Sequence, residues 1–175
     1  MKKLITLIFV FVLINFGFAQ KNQLKADILV EQIDKYNHKI VQIEGTIIHV
    51  CGVDQKKMKL KTADGNIIKI VPEKPDAVFD KSLHGKMVSI TGRVEETRIP
   101  KAKIEETERK GVLLCHIDQT ACTDTAWVNR QVENGTKDGI VKRDADQLRE
   151  KMTKNGKDYI SQITIYVTET QIINN

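Results

Sequence analysis

The sequence predicts a mainly β fold, a small five-stranded barrel with a helical insertion before its last strand. Three observations lead to this prediction. In several segments apolar residues alternate with polar ones, which is typical of strands that bury one face. The chain runs through a long strand, a hairpin, a short helix and another strand before residues 98–157, and a closing strand follows. Two of the strands carry a central glycine, as strands that curl round a small barrel require.

The first elements are a helix and a long bent strand. In LKADILVEQIDKY the apolar residues recur near helical spacing, which predicts a short amphipathic helix. The next segment, KIVQIEGTIIHVC, alternates as a strand around Gly45, where we expect a bend or a bulge. A bulge inverts the facing of the residues beyond it, so the pattern leaves open which side His49 and Cys51 face.

Four further segments complete the predicted barrel. KKMKLKTADGNIIKIV reads as a hairpin that turns at Asp64-Gly65. PDAVFDKSLHG predicts a short helical piece that begins at Pro75 and ends at Gly85. KMVSITGRVEET alternates as a strand around Gly92, and DYISQITIYVTETQII predicts the closing strand.

The insertion, about residues 98–157, is charged and partly helical in pattern. IPKAKIEETERKG favours a helix and NRQVENGTKDG a loop. DADQLREKMTKNG predicts a helix capped by Asp144, supported by Gln147 and ended by Gly156. The order of all these elements is that of the oligonucleotide/oligosaccharide-binding (OB) barrel, a five-stranded Greek key, with an enlarged connection before the last strand. A small open α+β sheet with the same elements is the alternative.

The N-terminus, MKKLITLIFVFVLINFGFAQ, predicts a signal peptide. A short basic region precedes an apolar stretch, and small residues follow it, as signal peptidase requires. The stretch is shorter than the roughly 20 residues of a membrane-spanning helix. We therefore expect cleavage after Ala19, a single domain over residues 20–175 and a periplasmic or secreted protein. No transmembrane segment is expected in the mature chain.

Composition and motifs narrow the classes of function. The net charge of +5 is mildly basic. The sequence has no G-x-S-x-G, no phosphate-binding glycine loop, no H-E-x-x-H and no C-x-x-C, which predicts a non-catalytic protein. Nucleic acid is disfavoured as a partner, because single-strand binders stack bases on aromatic residues and the hairpin has none. The hairpin lysines can attract an anionic partner or simply form a solvated face: Lys57, Lys59, Lys61 and Lys69.

The three cysteines point to one of two arrangements. Cys115, His116 and Cys122 lie in VLLCHIDQTAC, and Cys51 ends the first strand. Zinc and copper are bound by such thiolate and imidazole groups, so these four residues predict a metal site, with His49 as an additional ligand. The alternative is a Cys115–Cys122 disulfide without a cofactor, which an oxidising compartment favours.

The segments VQIEGTIIHVC, MKLKTADG and LHGKMVSITGRVEET resemble exported bacterial OB-fold domains of unknown function. The resemblance covers residues 35–98 and, more loosely, 155–170. Such domains commonly have a second cysteine in the hairpin, whereas this chain has none there and its nearest soft side chain is Met58. The resemblance implies an exported OB fold and assigns no activity. We thus expect a binding module for an unidentified protein or small ligand; a structural or interaction domain is the alternative.

Overall fold

Residues 24–173, which the computed structural model describes, contain a closed barrel of five strands. The barrel order is β1-β2-β3-β5-β4, in which β3 and β5 are parallel and the other neighbours antiparallel. This is the predicted OB-type barrel, and the open-sheet alternative is wrong. The strands are β1 Ile40–Val50, β2 Met58–Lys61, β3 Ile67–Pro72, β4 Met87–Pro100 and β5 Tyr159–Ile172.

Five α-helices and one 3₁₀ turn accompany the strands in this part of the chain. Two of the helices precede the barrel, where the sequence predicted one, and three lie between β4 and β5 as the insertion. The predicted signal peptide, residues 1–19, falls outside the described residues. Within residues 24–173, every helix is too short or too polar to cross a bilayer. The helices are α1 Ala26–Glu31, α2 Ile33–Tyr36, α3 Lys101–Arg109, α4 Thr125–Glu133 and α5 Lys137–Asn155.

Three local predictions are wrong. The helical piece expected from Pro75 is only the 3₁₀ turn Lys81–Leu83, in which the Ser82 N–H donates to the Asp80 carboxylate at 2.8 Å. The expected loop NRQVENGTKDG is mostly helical, because the Asp124 carboxylate accepts a hydrogen bond from the Trp127 N–H (2.9 Å) and starts α4. Helix α5 begins at Lys137, so Asp144 lies inside it rather than capping it.

The central glycines lie where the neighbouring strand leaves no room for a side chain. A Cβ atom on Gly45 would lie 2.6 Å from the carbonyl oxygen of Lys61, and one on Gly92 would lie 2.3 Å from that of Tyr166. No side chain fits at either distance, so both glycines are needed for the barrel to close. The bulge in β1 lies after Ile47 rather than at Gly45, and it turns His49 to the outer face of the strand.

Two apolar clusters hold the molecule together. The larger one fills the barrel and includes Ile43, Leu60, Ile90 and Ile165, all fully buried. The smaller one joins the insertion to β5, and its members come from α3, α5 and that strand: Ile104, Ala145, Leu148, Met152 and Ile160. The second cluster seats the insertion on the barrel, next to the hairpin formed by β2 and β3.

Candidate functional site

A cleft of about 670 Å³ lies between the hairpin and the insertion. We call it the insertion cleft. Residues of α1, β2, β3, α5 and β5 line it, together with the loop 116–119 of the insertion. In OB barrels the outer face of strands 2 and 3 and the loop between strands 4 and 5 form the usual ligand surface. Here that loop is the whole insertion, so the cleft occupies the position where the fold generally binds ligands.

Two lysines face each other across the hairpin inside the cleft. Lys59 on β2 and Lys69 on β3 are directly opposed in the strand register. Like charges at such positions destabilise a sheet. The charge of Lys69 is balanced by Asp118, at 3.4 Å. Lys59 takes part in none of the salt bridges among residues 24–173. Burial lowers the pKa of its ammonium group, while the nearby thiol of Cys115 acts to raise it and Lys151 to lower it.

The cleft has more positive charge than the neighbouring carboxylate, Asp118 at Lys69, balances. Helix α5 contributes Lys151, and Lys157 follows the end of that helix. With Lys59 and Lys69 they make four lysines, and no Asp or Glu is among the described residues that line the cleft. A concave surface with charges of one sign raises the local concentration of ions of the opposite sign. The insertion cleft is therefore suited to an anion.

Asp118 ties the insertion to the hairpin beside the cleft. Its side chain is 3% exposed, and one carboxylate oxygen lies 2.8 Å from Lys57 Nζ and 3.4 Å from Lys69 Nζ. The other oxygen accepts a hydrogen bond from the Thr120 hydroxyl at 2.7 Å. Burial alone would raise the pKa of Asp118, but the hydrogen bonds from Lys57 and Thr120 and the charge of Lys69 hold it well below the usual range. Asp118 thus fixes one wall of the cleft.

The structure brings together two of the predicted ligands, His49 and His116. Their ring centroids are 4.5 Å apart, and the ring planes meet at 75°. The β1 bulge makes this contact possible, because it turns His49 towards the insertion. Burial lowers the pKa of both imidazoles, and the nearby ammonium group of Lys59 lowers it further. His116 also lines the insertion cleft.

The predicted ligands do not assemble as a set. Within residues 24–173, no three His, Cys, Asp or Glu side chains are arranged to hold a metal ion. Cys51 is buried at the end of β1, where its thiol interacts with Asp54 and its N–H donates to the carbonyl oxygen of Lys57 at 2.8 Å. Zinc or copper binding through Cys51, Cys115, His116 and Cys122 stays a prediction.

The cysteines of the insertion lie in a small hairpin, residues 113–122, and none of the three cysteines forms a disulfide in this structure. Leu114 pairs with Ala121, Cys115 hydrogen-bonds to Thr120, and Cys122 to Leu113. Cys115 and Cys122 are therefore diagonal neighbours. Diagonal positions are about 7–8 Å apart, whereas the Cα atoms of a disulfide are usually about 4.4–6.8 Å apart. The Cys115–Cys122 disulfide stays a prediction.

The hairpin lysines divide into two groups. Lys59 and Lys69 line the cleft, and Lys57 binds Asp118 at its edge, so these three form no open solvated face. Lys61 is exposed and lies outside the cleft. The sequence pattern did not predict that Lys151, Lys157 or the apolar residues of the cleft belong to a site. The apolar residues Leu148 and Met152 are four positions apart, and this helical spacing could have indicated which face of α5 meets the barrel. Lys151 borders that face.

No protein family matches the chain, and a search of curated proteins gives no significant match. The resemblance to exported OB-fold domains accordingly stays a prediction.

Proposed function

We propose that the protein is a non-catalytic, exported binding module that holds an anionic ligand in the insertion cleft. The proposal rests on the surroundings of Lys59. This half-buried ammonium group faces Lys69 across the hairpin, has no carboxylate partner among the described residues, and lies in a cleft with four lysines. Such an arrangement lowers the stability of the fold. Its presence is explained if an anion supplies the missing negative charge.

Two further features support binding rather than catalysis or nucleic-acid recognition. Burial raises the pKa of Cys115, whereas a nucleophilic thiol needs a lowered value. No Phe, Tyr or Trp is among the described residues that line the cleft, so it offers no aromatic surface for stacked bases. Export rests on the N-terminal pattern that ends at Ala19.

Replacing Lys59 by methionine is expected to weaken anion binding at least tenfold, because a hydrogen bond to a charged group contributes about 1.5–3 kcal/mol. Isothermal titration calorimetry at low salt with citrate, pyrophosphate and a sulfated disaccharide measures the effect. The matched control is Lys61→Met, which removes an exposed lysine of the same strand outside the cleft. The proposal is wrong if wild-type protein binds none of these anions, or if the two variants bind them equally well.

A second candidate function is metal binding, and the contact between His49 and His116 supports it. Imidazole nitrogen is a good ligand for both zinc and copper. We expect His116→Gln to weaken binding of Zn²⁺ or Cu²⁺ at least tenfold in a calorimetric titration. His38→Asn is the control, since His38 has a positive φ of 64° that asparagine tolerates. Unchanged ion binding by His116→Gln would exclude this histidine as a ligand.

A further inference from the structure

We infer that the ligand of the insertion cleft is an amphiphilic anion, a small molecule with one acidic head group and an alkyl tail. The inference rests on the proposed function, because it identifies the class of anion that the same cleft takes. It comes from the apolar part of the cleft, which the lysines do not explain.

Part of the cleft lining is apolar, which we call the apolar floor, and it includes two solvent-exposed side chains. Val30 on α1 is 37% exposed and Ile67 on β3 is 56% exposed, and both line the cleft. Four largely buried apolar side chains of the insertion and β5 are also among the lining residues: Ile117, Leu148, Ile160 and Ile163. Single exposed apolar residues are common on protein surfaces. Two exposed apolar residues in one concave site, next to lysines without a carboxylate partner among the described residues, suit a ligand that has an apolar body and a charged end.

The cations of the cleft indicate one compact head group. All four are lysines, and no arginine is among the described residues lining the cleft. Lysine acts as a point charge, whereas arginine forms the paired hydrogen bonds that recognise planar or extended anions. Uncharged hydrogen-bonding groups lie nearby on Asn66, Gln119 and Gln162. A carboxylate, sulfate or phosphate monoester satisfies these groups.

The size of the cleft favours a single small molecule over a macromolecular surface. Its volume of about 670 Å³ lies within the range of small-molecule sites, about 300–1,000 Å³. The lining elements surround the space on several sides, since α1, the hairpin, α5 and β5 all contribute to it. The occupant is therefore the free amphiphile rather than a head group that remains in a membrane.

The test compares ethyl phosphate with hexyl phosphate by calorimetry, both as monomers in solution. Each methylene that the floor buries is expected to tighten binding about fourfold, so hexyl phosphate should bind at least tenfold more tightly. Ile67→Thr should weaken hexyl phosphate several-fold and leave ethyl phosphate unchanged. Val132→Thr is the matched control, because Val132 is 55% exposed on α4 and lies outside the cleft. Lys59→Met should weaken both ligands.

The outcomes separate this inference from the proposed function. If the two phosphates bind equally and Lys59→Met weakens both, the amphiphile is wrong and anion binding remains. If neither binds and the anions of the first test also fail, both proposals are wrong. Binding to vesicles that contain hexadecyl phosphate, without binding of the monomers, overturns the inference in favour of a membrane contact.

Discussion

Replacing Asp118 by asparagine is expected to release the 113–122 hairpin from the barrel and to lower the free energy of unfolding by about 2 kcal/mol. The variant keeps an acceptor for Thr120 but places a neutral amide against Lys57 and Lys69. Breaking a fully buried ion pair costs about 3–5 kcal/mol. The expected loss is smaller because the two lysine side chains remain 20% and 17% exposed.

Urea denaturation measures the loss, and hydrogen exchange at residues 113–122 locates it. The effect also has a predictable pH dependence. The pKa of Asp118 is lowered in the folded state, so its stabilisation is fully present above the ordinary carboxyl pKa of about 3.9. It is lost as the pH falls below that value. The difference between wild type and variant should therefore shrink in acid.

Glu106→Gln is the matched control for Asp118→Asn. Glu106 also lies between two lysines, Lys103 and Lys110, and these lower its pKa to about 2. It is on the exposed face of α3, where solvent screens ion pairs and they contribute little to stability. We expect Glu106→Gln to leave the urea midpoint almost unchanged. Equal effects of the two substitutions would show that Asp118 does not fasten the insertion.

The loss of Asp118 should also affect the proposed ligand site. Asp118 neutralises Lys69 and holds the loop that carries His116, Ile117 and Gln119 against the cleft. The variant therefore gains net positive charge but loses an ordered wall. Weaker binding of hexyl phosphate by Asp118→Asn would indicate that the position of the wall contributes more than the added charge. This readout connects the stability of the insertion with the function of the cleft.

The barrel could be predicted from the sequence because its signals are local. Alternating apolar residues define each strand, and Gly45 and Gly92 mark the points where strands curl. The boundaries of the insertion helices were harder to predict. Gly135 and Gly139 suggested a loop, but only Gly135 lies in a turn, between α4 and α5, with a φ of 67°. Gly139 lies inside α5, where a glycine costs only about 1 kcal/mol. The buried face of α5, with Val141 at its start, offsets that cost.

The insertion cleft could not be predicted, because its walls are far apart in the sequence. Lys59 appears in the sequence as one of several alternating lysines, and nothing local distinguishes it from the exposed Lys61. The difference arises when α5 packs on Ile160 and Asp118 binds Lys57. The predicted metal set requires Cys51 and the 113–122 hairpin to meet at one point, and it stays a prediction. The contact that the structure does show, between His49 and His116, depends on the bulge after Ile47, which no local pattern located.

Replacing Gly92 by alanine is expected to lower the free energy of unfolding by about 3 kcal/mol, at the upper end of the usual cost of overpacking. The added methyl group would lie 2.3 Å from the carbonyl oxygen of Tyr166 and 2.7 Å from the side chain of Ile165. Both residues belong to β5, and one of the two atoms is backbone, so a change of rotamer gives no relief. Strand β5 has to move away from β4, at the bulge between Thr91 and Gly92.

Gly52→Ala is the control, because a Cβ at Gly52 would have no atom within 4 Å other than those of its chain neighbours. Its free energy of unfolding should match that of the wild type within about 0.5 kcal/mol. Movement of β5 would also reach the insertion cleft, since Ile160 and Ile163 of that strand line it. Gly92→Ala should thus lose both stability and binding of hexyl phosphate, whereas Lys59→Met should lose only the binding. If Gly92→Ala were as stable as Gly52→Ala, β4 and β5 could not approach as closely as a closed barrel requires.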